Sequence, residues 1–508
     1  MSKEDNKRIA KNTFFLYVRM ILTIAVNFYA IRVIWKVLGV DDYGIYGLVG
    51  GIVATFAFIN NAMVASSQRF ISFELGRGNT ERLNKVFCLS VTVHFMLALA
   101  ITVLAETGGL WLLNERLNIQ QDRMYAANWV FQCSVLAFAV NVISVPYNAC
   151  IVAHEHMKAY GYFGILEVLL KLAIVFLLII LPFDKLITYS LLILGVTGIM
   201  RIIYGVYCRK HFPEARYRFV TDHHLMRDMF SFAGWSFVGN LGFSVRDQGL
   251  NIVLNLLFNT ALNAVRTISM QIGGTISGFA QNFQMAINPQ ITKRYASGEI
   301  GPMMNLVFAG CRYSVILMMM VVVPFLFATE QVLRLWLDDV APYTVGFTRL
   351  VLVMLLIEAM GNSVTTALQA TGRIKWFQII VSVIMVANIP IAWIWMKLDT
   401  DPYVIYYVSI LTAVAALLAR LVLLKRDVGF RASEFFYRVL VRTALTLILS
   451  CVAVYWIRSI FPQSFWGLVL FAIMSVGTMA LISFLVGINS GERKIVISYI
   501  KNHTGRHS

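Results

Sequence analysis

The residues of this chain that could do chemistry are the ionisable and amide side chains lying inside long apolar runs. A charge at mid-bilayer depth costs about 2.5 to 3.5 kcal/mol on insertion scales, so each one needs a reason. Eight Lys or Arg and three acids fall within such runs, a net interior charge of +5. Arg19 is the deepest by position, and Thr23 and Asn27 follow it at i+4 and i+8, so the three share one helical face. We read that face as cavity lining able to hold an anion rather than as a structural ion pair. Farther on, Asn240, Ser244, Asp247, Asn251 and Asn255 recur at four-three-four-four spacing, a face too polar to meet lipid. Arg246 is adjacent to Asp247 and points about 100° away, so they are not an i,i+4 pair; functional and structural readings of Arg246 both stand.

The next segment carries Thr267, Gln271, Thr275, Gly278 and Asn282, a neutral polar face suited to sugar hydroxyls. Close helix packing through Gly274 and Gly278 is the equal alternative. Glu167 and Lys171 have the favoured acid-before-base order at i,i+4, so mutual neutralisation is expected, with coupling to an ion as the sharper alternative. Arg349 and Glu358 lie nine residues apart on one side of a helix, and Glu358 shares a stripe with Asn362, Thr365 and Gln369; either could line a cavity. Arg201, Arg266, Arg312 and Arg420 fall near the ends of apolar runs, where snorkelling to the interface accounts for them. His94 reads as a satisfied interior histidine. His154-Glu155-His156 lacks the i,i+4 histidine pair of a zinc helix, and the six cysteines show no C-x-x-C spacing, so we expect packing thiols and no metal site.

The elements that must position these groups follow from composition. The chain has 508 residues, 59% hydrophobic and only 14% charged, and its mean hydropathy is +0.72. Those values exclude a large soluble domain. Spans of about 20 apolar residues with short connections give about fourteen transmembrane helices, all-α, with little chain left over. We place them at 13–38, 44–68, 86–113, 124–152, 159–181, 186–208, 229–257, 262–288, 303–328, 343–369, 374–397, 403–425, 436–458 and 464–487. Pro146, Pro324 and Pro390 lie within spans and are expected to kink them. The first apolar stretch is too long for a cleaved secretory signal and should be retained.

Alternating the connections from a cytoplasmic N-terminus puts 27 of the 43 basic residues inside and 8 outside, against 12 and 11 of the 26 acids. This is the positive-inside pattern, and an even span number puts both termini in the cytoplasm. The basic residues therefore report membrane orientation, not nucleic acid. An internal repeat is visible: the turn from Ala153 to Tyr160 aligns with Ala370 to Phe377, and Gln68 to Gly78 aligns with Asn288 to Gly298. Two parallel six-helix lobes are implied, residues 1–220 and 221–428, with two peripheral spans and a cytoplasmic tail in 429–508.

One set of motifs resembles a known family. It comprises Asn12, Thr13, Leu16, Tyr17, Arg19 and Met20; Leu38, Gly39, Asp42, Tyr43, Gly44, Ile45 and Tyr46; Asn60 to Met63; and Gln68 to Ser72 with Glu74, Leu75 and Gly76. It is similar to the N-terminal half of Wzx-type oligosaccharide flippases of the multidrug/oligosaccharidyl-lipid/polysaccharide exporter superfamily. The resemblance implies translocation of an undecaprenyl-diphosphate-linked oligosaccharide to the periplasmic leaflet of the bacterial inner membrane by alternating access through a cationic central cavity. It also implies membrane lipids and other polysaccharide-assembly membrane proteins as partners, no cofactor, and Na+ or H+ as the ion if transport is coupled. Arg19, Asn27, Arg246, Asp247, Asn251, Gln271, Asn282 and Arg349 are then the candidate substrate-binding residues, and Glu167, Lys171 and Glu358 the candidates for ion coupling. A cation-coupled drug exporter of the same superfamily and a lipid II flippase are the alternatives, although Arg19 stands in the first span where a drug exporter would carry an acid. A polytopic glycosyltransferase or polymerase would show a long outer loop with catalytic residues; without one, the chain reads as a non-enzyme.

Overall fold

A bilayer offers no partner for backbone N–H and C=O groups, so an apolar chain crossing it must bond internally, as helix. The computed structural model describes residues 3–54, 56–115, 119–258, 260–337, 340–399, 401–489 and 492–493. Its long elements are α1 (Lys3–Ala54), α2 (Ala57–Arg77), α3 (Thr80–Glu115), α4 (Gln121–Ala153), α5 (Met157–Ile180), α6 (Lys185–His211) and α7 (His223–Leu257). They continue as α8 (Thr260–Ala296), α9 (Ile300–Leu337), α10 (Thr344–Ala370), α11 (Lys375–Leu398), α12 (Val404–Val428), α13 (Ala432–Ile460) and α14 (Phe465–Gly487). Among the described residues ten of these are long and apolar enough to cross a membrane. The four that fall short, α1, α2, α7 and α8, include the segments singled out above for polar faces.

Helices occupy the positions of the expected spans, but the first connection differs. The helix runs on through the expected turn at Gly39, where a φ of 78° bends it, and continues to Ala54 before α2 begins. Only glycine adopts that backbone at low cost, so the bend is placed by the residue type. The second span is thus the part of α1 after Gly39 together with α2, and reaches Arg77 rather than residue 68.

The repeat reappears in backbone conformation and in packing. Gly78 and Gly298, which the sequence alignment pairs, have φ of 71° and 80°. Glu155 and Gly372, also paired, have φ of 60° and 75°. The chain divides into two compact units, Arg8–Phe237 and the described residues from Val238 onward together with those up to Lys7. In the first, α4 packs on α2, α3 and α6; in the second, α10 packs on α8, α9 and α12. The fourth span of each lobe is therefore its central helix. In the second unit α13 and α14 pack on α9, joining Val454, Phe471 and Met479 to the core of Val315, Met318, Met319 and Val322. Arg312 of α9 is buried, with Nη2 2.5 and 2.7 Å from the two carboxylate oxygens of Glu492.

Candidate functional site

The second lobe holds a buried polar centre built from four helices. Glycines on α7 let α11 approach closely: a Cβ at Gly242 would lie 2.8 Å from the Ser382 side chain, and one at Gly249 would strike Ile389. This contact turns Arg246 inward, where it is 4% exposed. Its Nε donates to Asp247 Oδ1 at 2.9 Å, and its Nη1 donates to Glu358 Oε1 of α10 at 3.2 Å and lies 3.3 Å from Met385 Sδ of α11. Adjacent helical positions do point apart, yet the long guanidinium stem folds back to close the gap, because an unpaired charge in this setting is far costlier than a strained route to a partner.

Two further arginines join this pair. Arg266 of α8 is 4% exposed; its Nη2 is 3.8 Å from Asp247 Oδ1 and its Nη1 donates to Asn251 Oδ1. Arg420 of α12 is 7% exposed and interacts electrostatically with both Glu358 and Arg246. It packs against Gly361, where a Cβ would come within 3.0 Å of Nη1. The snorkelling expectation is therefore corrected for Arg266, Arg312 and Arg420, which are buried inside the lobe; Arg201 is half-buried with its guanidinium 3.9 Å from the centre of the Tyr147 ring. The helix ends nearest them lie within a few residues of the expected ones; it is the packing of neighbouring helices that buries these side chains. Arg266, Arg420 and Tyr406, which neighbours Arg266 and Asp247, were missed as site residues. For Arg420 the sequence signal was a basic residue whose helical neighbours Ala416, Leu417, Leu423 and Leu424 are all apolar.

The centre thus holds three guanidiniums against two carboxylates, Asp247 and Glu358, an excess of one positive charge. The acids lie nearer the surface: the side chains of Asp247 and Glu358 are 36% and 28% exposed. The arginines back them from within.

Of the other expected residues, Gln271 is exposed on α8 with Thr267 and Thr275, and Gly274 beside them has nothing within 4 Å of a would-be Cβ. The close-packing alternative for Gly274 is therefore not realised; Gly273 is the packed glycine, its Cβ position 2.7 Å from Val351. Asn282 is buried and donates to the Gly278 carbonyl at 2.8 Å. Arg349 is exposed near Tyr403, away from the arginine centre.

In the first lobe Arg19 lies with its guanidinium 4.7 Å from the centre of the Tyr160 ring, and α5 has Gly164 where any Cβ would collide with the Arg19 stem. Arg19 and Glu167 both act on Tyr204. Lys171 donates to Glu167 at 2.6 Å, the expected i,i+4 neutralisation. The Asn27 side chain lies outside the described residues. His94 is buried; its Nδ1 is 2.7 Å from the Ser90 carbonyl. At the other end of the first lobe Arg123 bonds Asp42 at 2.8 and 2.5 Å and Asp184 at 2.7 Å, tying the motif residue Asp42 to the start of α6.

Several solved structures share this fold. The chain superposes on MATE in the straight conformation with a TM-score of 0.72, at 13% identity over 84% of this chain and 96% of that one. An outward-facing multidrug resistance MATE family transporter of the MOP superfamily gives 0.71, at 13% identity over 83% and 96%. A MOP superfamily transporter from Pyrococcus furiosus, described as having a binding pocket of reverse polarity that suggests a different function, gives 0.69, at 14% identity over 84% and 96%. No curated protein matches in sequence. The sequence pattern of the polysaccharide biosynthesis proteins matches residues 9–295, more than half of the chain and including the Arg19 motif and most of α8. With that match over more than half of its length, the chain belongs to the polysaccharide biosynthesis protein family.

Proposed function

We propose that the chain is a flippase that moves a lipid-diphosphate-linked oligosaccharide from the cytoplasmic to the outer leaflet of the bacterial inner membrane by alternating access, without enzymatic chemistry. The observation that carries this reading is the positive excess of the buried arginine centre. Three guanidiniums and two carboxylates are an unbalanced set, and an unbalanced buried charge is costly unless an anion completes it. A diphosphate is such an anion. The two carboxylates around Arg246 already present oxygens to its donors, and phosphate oxygens suit the same planar fork. Asp247 and Glu358, displaced when the lipid headgroup binds, would then be available to Na+ or H+, which gives Glu358 its coupling role. The exposed hydroxyl and amide stripe of Thr267, Gln271 and Thr275 suits the glycan. In the first lobe Arg19 is the cationic counterpart. Carrying negative charge outward across an inside-negative potential is worth about 2.3 kcal/mol per charge per 100 mV, so the potential itself favours export. The positive-inside charge pattern supports cytoplasmic termini.

The test is leaflet transfer of a labelled polyprenyl-diphosphate oligosaccharide in proteoliposomes. Protein-dependent transfer, inhibited by an unlabelled polyprenyl diphosphate and indifferent to cationic drugs, is expected. Transport of cationic drugs with no transfer of the lipid would replace this reading with that of a multidrug exporter.

A further inference from the structure

Far along the sequence from the arginine centre, the first lobe gathers three metal-binding side chains that the transport reading does not use. Cys150 stands in the last turn of α4 and His154 follows at i+4, so both leave one face of the helix end. Glu214 lies in a short turn, Pro213–Ala215, just after α6. Cys208, in the last turn of α6, donates to the Tyr147 carbonyl at 3.5 Å. Both thiols are fully buried and Glu214 nearly so. The donor atoms of Cys150, His154 and Glu214 all lie within 4.8 Å of one another. Cys150 Sγ is 3.8 Å from Glu214 Oε1, and the same oxygen bonds His154 Nε2. The His154 ring is stacked on Phe212 at 4.1 Å, which fixes its plane. His156, two residues on, has Nδ1 3.0 Å from the Tyr207 hydroxyl, so the histidines serve different partners.

We propose that Cys150, His154 and Glu214 bind a Zn2+ ion. A thiolate, an imidazole nitrogen and a carboxylate oxygen are the mixed set that a borderline-soft, tetrahedral cation accepts, whereas Mg2+ and Ca2+ require oxygen throughout. With metal bonds of about 2.0 to 2.3 Å, tetrahedral donors sit roughly 3.3 to 3.8 Å apart, so a small parting of His154 from Glu214 admits the ion. Binding displaces the thiol proton and replaces the hydrogen bonds among the three groups with coordination. The ion would tie the turn between α4 and α5, where Glu155 has an unusual φ of 60°, to the segment after α6. Asn84 of α3 already bonds the Glu214 and Arg216 carbonyls of that segment, at 2.7 and 3.1 Å. Zinc would therefore lock the inner end of the first lobe around one buried point.

The test uses the full-length protein in detergent micelles, stripped with a chelator and titrated with Zn2+ or with Co2+ as a spectroscopic stand-in. We expect about one ion per chain, a thiolate-to-cobalt charge-transfer absorption, and a higher melting temperature on zinc addition. Cys150→Ser and Glu214→Gln should lose the absorption and the zinc-dependent stabilisation, while Cys451→Ala keeps both. If the variants fail to fold, the wild-type cobalt spectrum decides alone, since absence of the thiolate band overturns the proposal. Stoichiometric binding that persists unchanged in folded Cys150→Ser or Glu214→Gln also overturns it, as does recovery of Cys150 and Cys208 as a disulfide that excludes the metal.

Discussion

Arg420→Met separates a structural arginine from one kept for its charge. Arg420 is buried, its Nε has no hydrogen-bond partner, and it feels attraction from Glu358 and repulsion from Arg246. These two electrostatic effects oppose each other, so the remaining cost is that of keeping a guanidinium out of water, on the order of 3 kcal/mol. Methionine has similar reach and no charge, and the substitution leaves the centre with two guanidiniums and two carboxylates. The variant should therefore be more stable than wild type by about 1 to 3 kcal/mol, read as a rise of a few degrees in melting temperature. If the excess charge serves the diphosphate, export should fall nonetheless. Loss of one charge-assisted contribution of about 1.5 to 3 kcal/mol corresponds to roughly tenfold or more in substrate affinity. Thermal unfolding of purified protein, membrane abundance and surface-glycan export measured together give the answer. Lower abundance in Arg420→Met, restored together with export by adding Glu358→Gln, would show a plain counterion and refute the reasoning. So would unchanged export at unchanged abundance.

Arg19→Lys should retain part of the export activity, Arg19→Ala little and Arg19→Glu least, at wild-type abundance, because lysine supplies the charge without the planar fork; Gly164→Ala should mimic Arg19→Ala by pushing the side chain off Tyr160, and normal export in that variant would rule out a positioned Arg19. For Asp184, burial alone would raise the carboxyl, but the amide of Ile187 and the bonds from Arg123 outweigh it and hold it below the ordinary range. Its folded pKa is depressed, so its stabilising contribution is present above the unfolded value of about 4 and lost as pH falls through the folded one; melting curves between about pH 6 and pH 3 should show this loss, and Asp184→Asn should remove it. In a cysteine-free background, Gln463→Cys should react with an impermeant thiol reagent in intact cells and Ser297→Cys should not; the reverse pattern would invert the topology.

Membrane insertion depends on local composition, and this is why the helices and their order were legible. Apolar runs, basic clusters and the aligned turns determined the all-α class, the two lobes and the trailing pair of spans. Gly78 with Gly298, and Glu155 with Gly372, even marked the left-handed turns. The i,i+4 rule likewise found the Glu167–Lys171 pair, because both partners lie on one helix. What the spacing could not show was which groups from different helices meet. Arg246 needed Glu358 from 112 positions away, and Arg266 and Arg420 looked like snorkelling ends until packing sealed them in. The same holds for Cys150 and His154, whose i,i+4 spacing was written in the chain but whose third neighbour, Glu214, comes from the turn after α6. The sequence by itself determined the elements, since each is stabilised by its own backbone bonds and by lipid. Tertiary structure alone decided the charge clusters, since a buried ion is stabilised by whichever side chains the packing brings within a few ångströms.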